Sequence, residues 1–199
     1  MTEINIYSLK NKFSFVDKNF AHTIIKNEYP SLYKQLFNFL SNFELYKSEM
    51  LKPGGNESAI PKKVKKFFID NGWKDEMIFE ISTTVNEEKF ESSSYKIDLY
   101  ENHSKIAFDV EWNSKDSIFN RDLGTFKILH DKSAINLAIV FTRTHEEIME
   151  IAKNLGIGHK YGAATTNLTK LNEKLALGIL GKCPLFAIAI GKGCYNSKK

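Results

Sequence analysis

The sequence predicts an α/β (α+β) fold, in which a central mixed β-sheet carries helices on both of its sides. Residues 135–142 and 183–190 are almost entirely apolar, as expected for strands that are covered on both faces. Residues 105–113 instead alternate apolar and polar side chains, which is the period of a strand. Apolar side chains at helical spacing surround these stretches. This order of elements predicts one sheet between two helical layers.

The N-terminal segment is predicted to be mainly helical. Residues 4–9 fit a short strand or an arm, and a helical pattern begins at Asp17. Pro30 starts a second helix, whose apolar side chains recur at helical spacing as far as Phe43. This aromatic stripe is either core or part of a dimer surface.

A turn at residues 53–56 and a third helix follow. Ser58 is the expected N-cap, with Pro61 in the first turn. The side chains expected on its buried face are Ile60, Val64, Phe67 and Phe68. The lysines expected to point mostly outward are Lys62, Lys63, Lys65 and Lys66. Such a run forms either a solvated helix face or a surface that follows phosphates.

Later helices alternate with the apolar strands. They are predicted at 117–130, at 144–155 with Thr144 as N-cap, and near 168–177 after a polar loop at 156–167. Within the first of these, Arg121 and Asp122 are expected to form a surface pair on the helix.

Length and charge limit the class of protein. The chain has 199 residues and no linker, repeat or low-complexity segment, which predicts one domain with a helical part at 1–50 and a core at 51–199. The net charge of +4 permits a nucleic-acid partner without requiring one. No signal peptide and no apolar run of about 18 residues is found, so we expect a soluble, cytoplasmic protein that does not bind membranes.

Three carboxylates gather on one face of a predicted β-hairpin. If residues 102–103 form a two-residue turn, Asp98 pairs with Ala107 and lies diagonal to Asp109. Glu111 lies on the same side, two residues further along. Crowded acids repel each other unless a cation joins them. The hairpin is therefore a candidate metal site.

A divalent hard cation such as Mg²⁺ prefers oxygen ligands. Asp98 and Asp109 could hold it, with the backbone carbonyl of Val110 as a further ligand. Glu111 would then orient or deprotonate a water for attack on a phosphodiester. Alternatively, these acids are the solvent-facing side of an ordinary amphipathic hairpin, balanced by nearby lysines. Spacing alone does not decide between the two.

The acidic pattern resembles that of type II restriction endonucleases of the PD-(D/E)xK superfamily, in the BamHI/BglII/BstYI branch. The resemblance rests on Asp98 on one strand and on Asp109-Val110-Glu111-Trp112 on the next. Similar flanking segments are PGGNES (53–58), EWNSKDSIFNRDL (111–123) and KYGAATTN (160–167). The resemblance implies a restriction-endonuclease-like core from about Lys52 onward.

The resemblance implies that Asp98, Asp109 and Glu111 are catalytic, the first two as metal carboxylates. Aspartate stands at 109 where the branch usually has glutamate, and Glu111 takes the place of the superfamily lysine. Charge in the transition state must then be met by metal or by another cation. A rival register pairs Glu111 with Asn113 and leaves Asp109 beside the site.

The resemblance also implies a Mg²⁺-dependent homodimer that cuts double-stranded DNA at a palindromic sequence, with a cognate DNA methyltransferase in the same system. The residues expected to bind DNA are Asn113, Ser114, Lys115, Asp116, Lys160, Tyr161, Thr165 and Thr166. The alternatives are a nuclease of low specificity in repair or defence, and a non-catalytic DNA-binding module.

Overall fold

The computed structural model describes residues 4–52 and 58–198, with the backbone alone at 83, 85 and 89–92. The turn predicted at 53–56 lies outside the described residues. The strands are β1 (Phe13–Lys18), β2 (Leu45–Tyr46), β3 (Lys74–Val85), β4 (Glu88–Glu101), β5 (Ile106–Val110), β6 (Leu137–Arg143), β7 (Leu185–Ile190) and β8 (Tyr195–Asn196). The helices are α1 (Ala21–Glu28), α2 (Pro30–Asn42), α3 (Lys47–Leu51), α4 (Ala59–Asp70), α5 (Ile118–Asp131), α6 (Glu146–Asn154) and α7 (Leu168–Ala176).

Six of the strands form one mixed sheet in the order β1-β7-β6-β5-β4-β3. The central strands β5, β6 and β7 run parallel, whereas β1, β4 and β3 are antiparallel to their neighbours. Every residue of β6 and β7 is buried, as the apolar runs predict. Strands β2 and β8 form a separate parallel pair.

Each face of the sheet has its own apolar core. On one face, large side chains such as Phe108 and Phe141 pack with residues of α1, α2, α4 and α6. On the other face, the smaller Ala107 and Ala138 pack with residues of α5 and α7. Alternate residues of a strand point to opposite faces, so each central strand contributes to both cores. The predicted arrangement of helices on both sides of a mixed sheet is confirmed.

The N-terminal prediction is partly wrong. Residues 6–9 form a short 3-10 helix instead of a strand, and α1 begins at Ala21 instead of Asp17. Asp17 lies in β1, an edge strand of the main sheet, where it pairs with Phe186. The hydrogen bonds of β1 come from β7, near the other end of the chain, and local periodicity cannot reveal such a partner.

The later helices lie close to their predicted positions, but Thr144 does not cap α6. Its hydroxyl and its backbone N–H both donate to the carbonyl of Ile190, at 3.1 and 2.9 Å, and α6 begins at Glu146. Thr144 therefore joins the ends of β6 and β7. In the described ranges, no helix is both long and apolar enough to cross a membrane.

The hairpin of β4 and β5 has a longer turn than predicted. Residues 102–105 form the turn, and the register pairs Tyr100 with Ala107 and Leu99 with Phe108. The pairing is displaced by two residues from the expected one. A shift of two residues keeps every side chain on its predicted face. It brings Asp98 directly opposite Asp109, instead of diagonal to it.

Candidate active site

The hydrogen bonding of the hairpin changes at its two aspartates. The N–H of Asp98 donates to Oδ1 of Asp109 at 2.9 Å, and the N–H of Val110 donates to Oδ2 of Asp98 at 3.0 Å. Carboxylates thus accept from the backbone directly beyond the Leu99–Phe108 pair. Each carboxylate is therefore fixed by a backbone N–H of the neighbouring strand, which keeps the two side chains close together.

A cleft of about 760 Å³ opens beside this end of the hairpin. Asp98, Val110 and Glu111 line it, together with Lys65 from α4. Four of the residues predicted to bind DNA also line it: Asn113, Ser114, Lys160 and Tyr161. Asp109 is absent from the lining and lies buried behind it, in contact with Asp98.

Two of the three acids are buried and the side chain of Asp98 is 27% exposed, so the solvent-facing alternative is wrong for Asp109 and Glu111. Asp109 is 4% exposed and Glu111 is 6% exposed. Burial, and then the charge of Asp122, raises the pKa of both carboxyls. The pKa of Glu111 reaches about 8, although a hydrogen bond with Ser114 acts in the opposite direction. The fold thus concentrates negative charge in a place where water does not screen it.

Asp122 belongs to this acidic group, which corrects the prediction of a surface pair. The Arg121 side chain is 66% exposed, but that of Asp122 is only 3% exposed and accepts from Arg121 at 2.8 Å. Burial raises the pKa of Asp122 to about 6, while Arg121 and a hydrogen bond with Glu111 lower it. Two carboxyl groups can share a hydrogen bond only if one of them carries a proton. A hydrogen bond between Glu111 and Asp122 therefore requires a proton on one of the two.

Lys65 also departs from its predicted position. It is 9% exposed, and its Nζ lies 3.3 Å from Oδ1 of Asp98. Longer contacts of 3.8 and 4.0 Å join the same ammonium to Asp75 and Glu76 at the start of β3. The lysine run on α4 is thus not uniformly outward, and one member reaches the acids of the cleft.

The two segments predicted to bind DNA pair with each other. Lys115 forms an antiparallel bridge with Thr165, and the N–H of Thr166 donates to the carbonyl of Ser114 at 2.8 Å. The Nδ2 of Asn113 donates to the carbonyl of Lys160. The segments 113–116 and 160–166 therefore form one joined surface beside the acids.

Exposure differs within that surface. Thr166 is fully buried, and its Oγ1 accepts from the N–H of Ser114 at 3.1 Å. Tyr161 is 3% exposed and packs edge-on against Trp112. Lys115 is exposed and Asp116 is partly exposed. The buried pair holds the two segments together, and the more accessible side chains are those available to a ligand.

Arg143 contacts segment 160–166 from the buried side. The side chain is fully buried at the end of β6 and lies 5.4 Å from the ring centre of Tyr161. It donates to Oγ1 of Thr165 at 2.7 Å and to the carbonyl of Thr144 at 3.2 Å. Burial lowers its pKa to about 10. The loop is thereby tied to the centre of the sheet.

Sequence reasoning missed Lys65 and Asp122, although helical spacing contained a signal for both. Asp122 follows Phe119 by three residues and precedes Phe126 by four, so it lies on the buried stripe of α5. Lys65 precedes Phe68 by three residues on the buried side of α4. A charged residue on a buried stripe is expected to have a partner.

The oxygen ligands available at the site suit a divalent cation. Two buried carboxylate oxygens, Glu111 Oε2 and Asp122 Oδ2, have no hydrogen-bond donor. Burial raises the pKa of both carboxyls, and Arg121 offsets only part of this effect. Among the described side chains, no three acidic, histidine or cysteine groups form a ready-made metal cluster. Mg²⁺ commonly uses only one or two carboxylates and completes its shell with water and phosphate oxygens.

A model of a known protein family matches most of this chain. The family model described as restriction endonuclease BglII/BglIII matches residues 13–190, from the start of β1 to the end of β7. No match is found among curated proteins. The matched range contains the sheet, the acids and both segments predicted to bind DNA. The chain therefore belongs to the BglII/BglIII restriction endonuclease family, and it is a type II site-specific deoxyribonuclease.

Proposed function

We propose that this enzyme is a Mg²⁺-dependent homodimer that hydrolyses double-stranded DNA at a palindromic site. The observation that carries the proposal is the cleft, where Asp98, Glu111 and the backbone of Val110 meet, and where the buried Glu111 Oε2 has no hydrogen-bond partner. A symmetric dimer would place one such cleft on each strand of a symmetric target. Restriction endonucleases generally depend on a divalent metal.

Asp98, Asp109 and the carbonyl of Val110 are the proposed metal ligands. A bound divalent cation would supply positive charge that activates a water and offsets the repulsion among the acids. Glu111 lines the cleft and is the proposed group that orients the water or accepts its proton. In the net reaction the water oxygen bonds to phosphorus, one P–O ester bond breaks, and the departing oxygen ends as a hydroxyl.

The rival register shares Asp98 and Glu111 but replaces Asp109 with Asn113. Asn113 lines the cleft, and its Oδ1 is buried without a donor. Asp109 is further from the cleft, but its carboxylate contacts the backbone of Asp98. We retain Asp109 as the second metal carboxylate, because the aromatic Trp112 then stands in the family position.

DNA would lie across the surface formed by segments 113–116 and 160–166. Amides and hydroxyls read base edges, and lysines contact guanine or phosphate. We expect the more accessible Asn113, Ser114, Lys115, Asp116 and Lys160 to touch DNA, and Tyr161, Thr165 and Thr166 to shape the surface. A cognate methyltransferase in the same prokaryotic cytoplasm would protect host DNA.

The first test is cleavage of phage DNA with and without Mg²⁺. Wild type is expected to give discrete fragments with Mg²⁺ and none in EDTA. Asp98→Ala and Glu111→Ala are each expected to lower the rate at least 10³-fold, because each removes a group at the reacting phosphate.

Asp131→Asn provides the matched control, since Asp131 is a half-exposed acid of α5 paired with Lys127. It is expected to cut at the rate of wild type. A smear of products would contradict the specific site, and full cleavage by both alanine variants would contradict the assigned residues.

A further inference from the structure

We infer that Lys65 is a catalytic residue whose ammonium contacts the scissile phosphate, in place of the lysine that the motif itself lacks. This inference rests on the proposed function of the cleft. It starts from the chain's departure at Glu111, which puts a carboxylate where the superfamily has lysine. Charge that builds on the phosphate oxygens during attack must then be met by the metal or by a cation from elsewhere in the fold.

Lys65 has the required location. It lines the same cleft as Asp98, Val110 and Glu111, and its Nζ lies 3.3 Å from Oδ1 of Asp98. Its side chain is 11% exposed, whereas that of Asp98 is 27% exposed. A charge with so little contact with water interacts strongly with any anion that enters the cleft.

The helix that carries Lys65 is held firmly. Its neighbour Val64 is fully buried and Phe68 is 1% exposed, and Phe68 packs against Phe108 of β5 with ring centres 4.9 Å apart. The lysine is therefore delivered from a helix anchored on the strand that also carries Asp109. Such anchoring holds the charge in place before the substrate arrives, as electrostatic catalysis requires.

The acids around Lys65 hold its ammonium at the cleft. Asp98 makes the shortest contact, and Asp75 and Glu76 lie at 3.8 and 4.0 Å. A cation held by Asp98 would weaken the attraction between that carboxylate and Lys65, which would leave the ammonium available to the phosphate oxygens. It transfers no proton in this role and stabilises the extra negative charge of the five-coordinate phosphorus.

A purely structural pair between Lys65 and Asp98 predicts a different outcome. Such a pair would join α4 to β4, and its loss would lower the unfolding temperature without changing the rate of the folded enzyme. Loss of the pair would also free Asp98, so less Mg²⁺ would be needed for half-maximal activity. Charge stabilisation instead predicts a slower reaction at saturating Mg²⁺.

The test measures single-turnover cleavage at saturating Mg²⁺ for Lys65→Met, Lys65→Arg and Lys65→Ala. The Met variant is expected to be at least 100-fold slower than wild type, and the Arg variant at least tenfold faster than Met. Methylammonium is expected to speed the Ala variant at least tenfold, because a small amine can fill the vacated place. It should not speed Asp98→Ala.

Lys127→Met is the matched control, since Lys127 also pairs with an aspartate but lies on α5, outside the lining of the cleft. It is expected to cut within twofold of wild type. Thermal unfolding, and DNA affinity measured with Ca²⁺ in place of Mg²⁺, report folding and binding separately for every variant. If Lys65→Met does not fold, the role of Lys65 is decided by the response of Lys65→Ala to methylammonium and by the cleavage rate of Lys65→Arg.

Three results separate the possibilities. A wild type that never cuts DNA overturns the proposed function, and this inference with it. A Lys65→Met rate within threefold of wild type, while Asp98→Ala is inactive, overturns the role of Lys65 alone. An unresponsive Ala variant, together with an Arg variant no faster than Met, also overturns it.

Discussion

At the scale of single residues, the site is defined by carboxylates placed where charge is costly. Glu111 and Asp122 are buried on the α5 side of the sheet, and the pKa of each is raised by burial. A folded protein that keeps such protons binds more of them than the unfolded chain does. Its stability without metal therefore falls as pH rises from about 4.5, the usual pKa of glutamate, to about 8.

Asp122→Asn should reduce this dependence on pH. The substitution removes one buried charge, and its amide can donate to Glu111. We expect the variant in EDTA to be about 1–2 kcal/mol more stable than wild type at pH 8, with little difference at pH 5. Urea unfolding at both pH values measures this.

Asp131→Asn is the control for the buried charge, because Asp131 is an acid whose pKa is lowered by Lys127. It should give no gain at pH 8. Wild-type stability that increases from pH 5 to 8 without metal would contradict the buried acidic group.

At the scale of elements, short pairings outside the regular sheet join the acids to the surface predicted to bind DNA. The N–H of Glu111 donates to the carbonyl of Phe141 at 2.9 Å, which extends the β5–β6 ladder past Val110. Segments 113–116 and 160–166 then pair through Ser114 and Thr166. A change in that pairing is therefore expected to shift both the acids and the predicted DNA contacts.

Thr166→Val tests the pairing of the two segments. Valine keeps the shape of threonine but removes the oxygen that accepts from the partly buried N–H of Ser114. We expect a loss of about 1–3 kcal/mol in stability and faster hydrogen exchange at Ser114. We also expect the variant to prefer its specific site over random DNA less strongly than wild type does.

Thr166→Ser retains the hydroxyl and is expected to behave almost as wild type in exchange and in binding. Equal stability of the valine and serine variants would show that the hydroxyl does not hold the segments together.

At the scale of the whole molecule, one sheet places the acids near the end of its central strand β5, beside the surface predicted to bind DNA. The parallel strands β5 and β6 end beside the cleft, at Val110 and Arg143. A modest net charge of +4 accompanies this arrangement. We therefore expect DNA binding to depend on the local placement of lysines more than on overall charge.

The proposed dimer makes a simple prediction of mass. Light scattering at micromolar concentration should give twice the 22.8 kDa of one chain, with or without a palindromic duplex. A single dimer should bind one duplex that contains the target. A protein that stays at the mass of one chain even when bound to that duplex would contradict the symmetric mode of cutting.

The sequence by itself determined the central strands, most helices and the acidic pattern of the hairpin. Apolar runs and side-chain periods act within one element, so residues 135–142 and 183–190 could be recognised without any partner. The motif around Asp109 and Glu111 pointed to the same family that the later comparison shows.

Tertiary structure alone decided which other residues join those acids. Local periodicity places Lys65 and Asp122 toward the inside of their helices, but it does not say what lies opposite. Packing of α4 on one face of the sheet brings Lys65 to Asp98, and packing of α5 on the other brings Asp122 to Glu111. The register of β4 and β5 depends on the length of the turn between them, which has four residues instead of the two predicted from the sequence. The charges that meet in the cleft are thus set by long-range packing.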